Sequence, residues 1–162
     1  MRILVLGIGN DLLADDAVGI LSARRLKERQ QAGAIEALQG LRIVESALSG
    51  VALLDLFIGH EKAIVIDAIR TGGRPPGTII ELSPSDLGAV TAPSPHFTGI
   101  PELSALAREL GLEFPAEVKI FAMEAKDLET IGGSLSPQVE KALEDLVLRV
   151  EAQILQWQKA GG

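Results

Sequence analysis

Apolar residues fall along this chain in short runs separated by stretches of helical spacing. Ile3-Leu4-Val5-Leu6 is a continuous apolar run with the length of a buried strand. Gly7, Gly9 and Asn10 follow as a turn, and the adjacent acids Asp15 and Asp16 come next. From Asp16 to about Gly33 the spacing becomes helical, with Ala17, Ile20, Leu21 and Leu26 on the core side and Gly33 as the stop. Leu41 to Glu45 alternates as a second strand, Ser46 to Gly50 is small and turn-like, and Val51 to Ile58 reads as an apolar helix. Ala63 to Asp67, AIVID, is a continuous apolar run ended by an acid, the pattern of a central buried strand. Thr78 to Leu82 is a fourth strand, placed at an edge, and Val118 to Ala122 a fifth. Between them lie a long Ser- and Pro-rich loop, Ser83 to Phe97, and a helix from Pro101 to Leu112. The chain closes on a long amphipathic helix, Pro137 to Trp157, in which Val139, Leu143, Leu146, Val150, Ile154 and Trp157 recur at helical spacing. Strands alternating with helices predict an α/β sandwich.

Composition narrows the class. The 162 residues are read as one domain, 1–162, and a hydrophobic content of 47% is enough for a real core. The chain has no cysteine, which excludes disulfides, thiolate zinc sites and a cysteine nucleophile and fits a reducing, cytoplasmic setting. A net charge of −7 argues against a nucleic-acid ligand. Met1-Arg2 leads straight into a strand-like run rather than a signal peptide, and no apolar run approaches the roughly 18 residues of a membrane span, so no membrane insertion is expected. The basic cluster Arg24, Arg25, Lys27 and Arg29 reads as a solvated helix face, with an anion site as the other possibility.

The candidate chemistry lies at strand ends. In open α/β sheets ligands bind outside the carboxyl ends of the strands. Gly7-x-Gly9 after a strand is no dinucleotide fingerprint by itself, because Leu12 or Leu13 stands where the third glycine belongs. Asp15 and Asp16 have two readings, as helix-start acids complementing a helix dipole or as part of a site. Asp67 ends a strand, where an acid is a turn former or a ligand. Of the two histidines, His60 reads as a helix-end residue, and His96 lies in the long loop as a base or ligand candidate. If the first and third strands are parallel neighbours, Asp16 and Asp67 meet at one edge of the sheet and the loop bearing His96 folds over them. Two carboxylates and an imidazole suit a divalent transition metal and leave positions open for water or substrate.

The stretch ILVLGIGNDLLADDAVG, then IVIDAI at Ile64 to Ile69, then SPH at Ser94 to His96, resembles the hydrogenase maturation endopeptidases over nearly the whole chain. That family removes a C-terminal extension from the large-subunit precursor of nickel-iron hydrogenases once nickel has been inserted. The resemblance implies a three-layer α/β/α sandwich around a mixed, mostly parallel five-stranded sheet. It implies metal contact, and with it the catalytic site, at the second acid of the pair, the acid after the central strand and the His of the SPH loop. In this sequence these are Asp16, Asp67 and His96. It also implies nickel supplied by the substrate, with cadmium or zinc as substitutes. The nickel would act either through a polarised carbonyl and an activated water or as a locator for general-base work by the carboxylates.

Two departures lie near the expected site. Glu45-Ser46-Ala47 stands where relatives often have Asp-Gly-Gly, and Phe97 follows the SPH histidine where many have Gln or Asp. Both bear on substrate choice more than on the triad. Three other readings remain at this point. A peptidyl-tRNA hydrolase shares the GIGN-type turn, but this chain lacks its Pro-Gly and its early His and is acidic. A serine hydrolase would use His96, Asp67 and Ser46 or Ser49, without a G-x-S-x-G elbow. A non-catalytic nickel-dependent adaptor for the same precursor would carry the same triad.

Overall fold

A computed structural model describes residues 1–89, 96 and 99–162. Its strands are β1 (Ile3–Ile8), β2 (Arg42–Ser46), β3 (Lys62–Ile69), β4 (Ile79–Leu82) and β5 (Glu117–Glu124); its helices are α1 (Val18–Gln31), α2 (Leu54–Phe57), α3 (Ile100–Glu109) and α4 (Pro137–Ala160). The strands form one sheet in the order β2-β1-β3-β5-β4. β1 pairs in parallel with β2 and β3, β3 pairs in parallel with β5, and β4 closes one edge antiparallel to β5. The mixed, mostly parallel five-stranded sheet is therefore as expected, and so is the edge position of the fourth strand.

β1 and β3 are apolar nearly throughout because both of their faces are covered. On one face Val5, Ile64 and Ile66 pack with Leu26 of α1 and Leu146 and Val150 of α4. On the other, Leu6, Val65 and Ile120 pack with Phe57 of α2 and Leu103 of α3. All six apolar positions read along the last helix are buried. α1 lies so close to the sheet that a β-carbon at Gly19 would stand 2.3 Å from the Ile8 carbonyl oxygen and 2.4 Å from that of Ile66. Gly19 thus permits a helix–strand approach that no larger residue allows.

Three expectations are corrected. The helix read over Val51 to Ile58 is a 3₁₀ turn, Gly50–Leu53, followed by the single turn of α2. It stops early because Ile58 is already extended and Gly59, at φ +82°, redirects the chain into β3. The loop from Ser83 begins with a 3₁₀ turn, Pro84–Ala89, whose start is fixed by Asp86 accepting from the Ser83 backbone N–H and hydroxyl, both at 2.8 Å. The basic cluster on α1 is an ion-paired seam, where a solvated face was expected. Arg24 donates to Glu45 at 2.9 Å and Arg25 to Glu144 at 3.1 Å. Lys27 also reaches Glu45, and Arg29 bonds both Glu144 and Glu151 of α4. The Arg24 hydrogen bond, joined by Lys27, holds the Glu45 carboxyl below its usual range.

At the amino ends of β3 and β5, Trp157 donates its indole N–H to Glu117 at 2.9 Å, and Lys62 lies 5.0 Å from the indole centroid while pairing with Glu117. Among the described residues, no helix is long and apolar enough to cross a membrane.

Candidate active site

The site is built on the turn that follows β1. Gly9 has φ +149°, and a β-carbon there would sit 2.0 Å from the Asp16 carbonyl oxygen. Only glycine lets the chain pass beneath Asp16 at that distance. Asn10 then makes two bonds. Its side-chain oxygen accepts the Leu12 N–H at 2.9 Å, closing an Asx turn, and its own N–H donates to Asp16 Oδ2 at 2.9 Å. Asp16 N–H in turn donates to the Leu13 carbonyl at 2.8 Å. Ala14 is held at φ +35°, a region that disfavours a side chain, and strain of this kind collects at functional sites. The 3₁₀ turn Ala14–Ala17 carries both acids and feeds into α1, so the helix read from Asp16 begins two residues later, at Val18. Gly9→Ala should reduce peptidase activity at least tenfold while the sheet persists, since the clash falls on the Asp16 backbone; circular dichroism beside an activity assay checks this.

β3 runs parallel beside β1, as the sequence argument requires, and carries Asp67 fully buried near its carboxyl end. Asp67 Oδ1 accepts the Ala68 N–H at 2.8 Å, which holds that oxygen at the strand end. His96 and Asp16 are both half-buried, with His96 Nε2 3.9 Å from Asp16 Oδ2. One ligand-type atom from each of Asp16, Asp67 and His96 lies within 4.8 Å of the other two. The 3.9 Å separation exceeds hydrogen-bond length. Two carboxylate oxygens and one imidazole nitrogen converging at that spacing fit a borderline divalent cation such as nickel or zinc.

The remaining candidates divide. His60 is a helix-end residue as expected, with Nδ1 3.3 Å from the Phe57 carbonyl oxygen. Ser46 serves a turn, its hydroxyl accepting the Leu48 N–H at 3.0 Å. Glu45 is committed to Arg24 and Lys27. Ser94, Pro95 and Phe97 lie outside the described residues.

Asp15 does not join Asp16 at the triad. It is fully buried, and its carboxylate accepts from Lys126 N–H and Asp127 N–H at 2.9 Å and from the Ser136 N–H and hydroxyl at 2.7 Å. Sequence reasoning also passed over Glu124, a buried acid at the end of β5 that accepts the Thr71 N–H at 2.8 Å and bonds its hydroxyl, anchoring the segment after β3. The Asn10 turn had a local signal, an Asn directly after a glycine. Asp15 and Glu124 had none, because their partners are distant in sequence.

A parallel-centred α/β sandwich with a carboxylate–carboxylate–imidazole site at the carboxyl ends of adjacent strands defines the general class. The comparisons then specify it. Residues 22–153 match the family profile HycI, hydrogenase maturation protease. The chain is 31% identical over 154 residues to the hydrogenase 2 maturation protease of Escherichia coli (strain K12), covering 94% of this chain and 90% of that one. It is 30% identical over 159 residues to the hydrogenase expression/formation protein HupD of Rhodobacter capsulatus, covering 96% and 72%. Among solved structures, the hydrogenase maturating endopeptidase HybD from E. coli matches with a TM-score of 0.78 at 29% identity, over 96% of this chain and 93% of that one. The [NiFe] hydrogenase maturation protease HybD from Thermococcus kodakarensis matches with a TM-score of 0.73 at 28% identity, over 95% and 99%. The chain belongs to the hydrogenase maturation protease family and is a peptidase. That membership replaces the peptidyl-tRNA hydrolase and non-catalytic adaptor readings.

Proposed function

We propose that this peptidase removes the C-terminal extension of the large-subunit precursor of a nickel-iron hydrogenase after nickel insertion, and that Asp16, Asp67 and His96 meet the nickel the precursor carries. The observation that carries this reading is the convergence of three ligand-type atoms within 4.8 Å at the carboxyl edge of the sheet. The chain has no cysteine, so any thiolate ligands to the nickel belong to the substrate, and this protein contributes the harder oxygen and nitrogen donors. A precursor without nickel then offers the triad nothing to hold.

Nickel in that position supplies Lewis-acid polarisation of a nearby carbonyl and activation of a water. The residues of this chain do the rest. Buried Asp67 forms the floor of the site, with one carboxylate oxygen held by Ala68 N–H. Asp16 is oriented by Asn10 N–H, His96 acts as a nitrogen donor, and a carboxylate oxygen of Asp16 left free of the metal would take a proton from water and return it to the leaving amine. Cadmium and zinc, which accept the same donors, serve as probe ions. The setting is the cytoplasm, which suits a cysteine-free chain.

The test is to mix the protein with nickel-loaded and nickel-free large-subunit precursor and weigh the products by mass spectrometry. Loss of a C-terminal peptide from the loaded form alone is the expected result. Equal cleavage of both forms would overturn the nickel checkpoint, and binding without loss of mass would overturn the processing role.

A further inference from the structure

We propose that Asp15 is a positioning residue for the peptidase site. Its buried carboxylate ties the Lys126–Ser136 loop to the turn at residues 12–17, and through that tie it sets the Asp16 carboxylate against Asp67 and His96. The inference rests on the reading of these three residues as the metal-meeting donors.

The geometry is specific to a carboxylate. Asp15 receives four hydrogen bonds, from Lys126 N–H, Asp127 N–H, Ser136 N–H and the Ser136 hydroxyl, and its own N–H donates to the Asp127 carbonyl at 2.9 Å. A carboxylate is acceptor-only and satisfies all four donors; an amide would turn two hydrogens toward some of them. The buried charge is stabilised by these donors and by the start of α4, a 24-residue helix whose N-cap is Ser136. The Ser136 hydroxyl makes no cap bond to its own helix, because it is given to Asp15.

The loop is fastened to the same turn a second time. Leu13 and Ile131 form an antiparallel bridge, and Gly132 N–H donates to the Leu12 carbonyl at 2.7 Å. The turn between these fastenings includes Ala14 at φ +35°, a conformation the chain keeps only where its surroundings over-determine it. Asp16 is the residue directly after Asp15, and its backbone N–H and its Oδ2 are bonded within the same turn. If the Asp15 tie is removed, the turn relaxes and the Asp16 oxygen leaves the spacing the triad now has.

The experiment compares the full-length wild type with Asp15→Asn, Ser136→Ala and Val150→Ala. The last variant, far from the turn in the α4 core, serves as a control for lost stability. Each is measured for thermal unfolding, for nickel and cadmium uptake by calorimetry well below its Tm, and for kcat and KM on the nickel-loaded precursor. The expected result for Asp15→Asn is native circular dichroism, ion affinity lowered about tenfold to a hundredfold, and kcat/KM on the loaded precursor lowered with it. Ser136→Ala, which keeps three of the four bonds with its own backbone N–H intact, moves the same way by less. Val150→Ala loses Tm and keeps both affinity and kcat. Wild-type affinity and turnover in Asp15→Asn, or equal losses in Val150→Ala, would overturn the proposal. If Asp15→Asn does not fold, Ser136→Ala decides. If the wild type takes up neither ion unaided, the triad acts only on nickel the precursor already holds, and wild-type kcat/KM on loaded precursor in a natively folded Asp15→Asn overturns the proposal.

Discussion

Asp16→Asn and His96→Ala should each lower cleavage of the nickel-loaded precursor by at least about a hundredfold, with the fold intact. Loss of an outer partner of a metal ligand typically lowers affinity or activity about 10–100-fold, so removal of a direct donor should do at least as much. Loss of a proton-transfer group lowers rate by about 10²–10⁴. Asn at position 16 preserves shape and can still accept the Asn10 N–H, so the turn survives while the charge is lost. Both apolar core clusters are built without His96, so truncation there leaves the core in place. A time course of precursor mass with each folded variant is the measurement, and full activity in either would remove that residue from the site.

Gly19→Ala should destabilise the protein by about 3 kcal/mol, at the upper end of ordinary overpacking effects. The added β-carbon would meet the Ile8 and Ile66 carbonyl oxygens at 2.3 and 2.4 Å and the Ile8 nitrogen at 3.0 Å. All three are backbone atoms of β1 and β3, the two strands at the centre of the paired ladder, so none can swing aside as a side chain does. For a chain of this size the loss corresponds to a Tm lower by roughly 6–12 °C. Gly33→Ala is the useful contrast. It has φ +65° with nothing within 4 Å of the would-be β-carbon, so it bears only the conformational penalty of about 1–2 kcal/mol. Thermal unfolding of both variants separates a packing requirement from a backbone one.

The sheet was legible because its central strands are buried on both faces and so read as unbroken apolar runs, ILVL and AIVID. The convergence of Asp16, Asp67 and His96 was legible because each of the three lies in its own sequence motif. What the sequence hid was long-range pairing. Two adjacent acids look alike in a string of letters, yet the bonds that separate the role of Asp15 from that of Asp16 reach residues 111, 112 and 121 positions away. The cations of α1 looked solvated for the same reason, since Glu144 and Glu151 lie on a helix more than a hundred residues later. The short 3₁₀ turns at Gly50–Leu53 and Pro84–Ala89 were hidden differently. A single turn carries too few residues to establish a period, and its existence depends on local hydrogen bonds such as those of Asp86.

The position of Trp157 has a practical consequence. The chain contains one tryptophan and no tyrosine, so this indole is the principal intrinsic fluorophore. It is hydrogen-bonded beside Lys62 and Glu117 at the amino ends of β3 and β5. Asp67 lies five residues up the same strand from Lys62, roughly 16 Å away at the rise of an extended chain. Its emission therefore records whether the whole sheet and α4 stay docked, and it is a poor witness to what happens at the triad. An unchanged spectrum on addition of an ion says nothing against binding, whereas a red shift in a site variant signals that the scaffold itself has come apart.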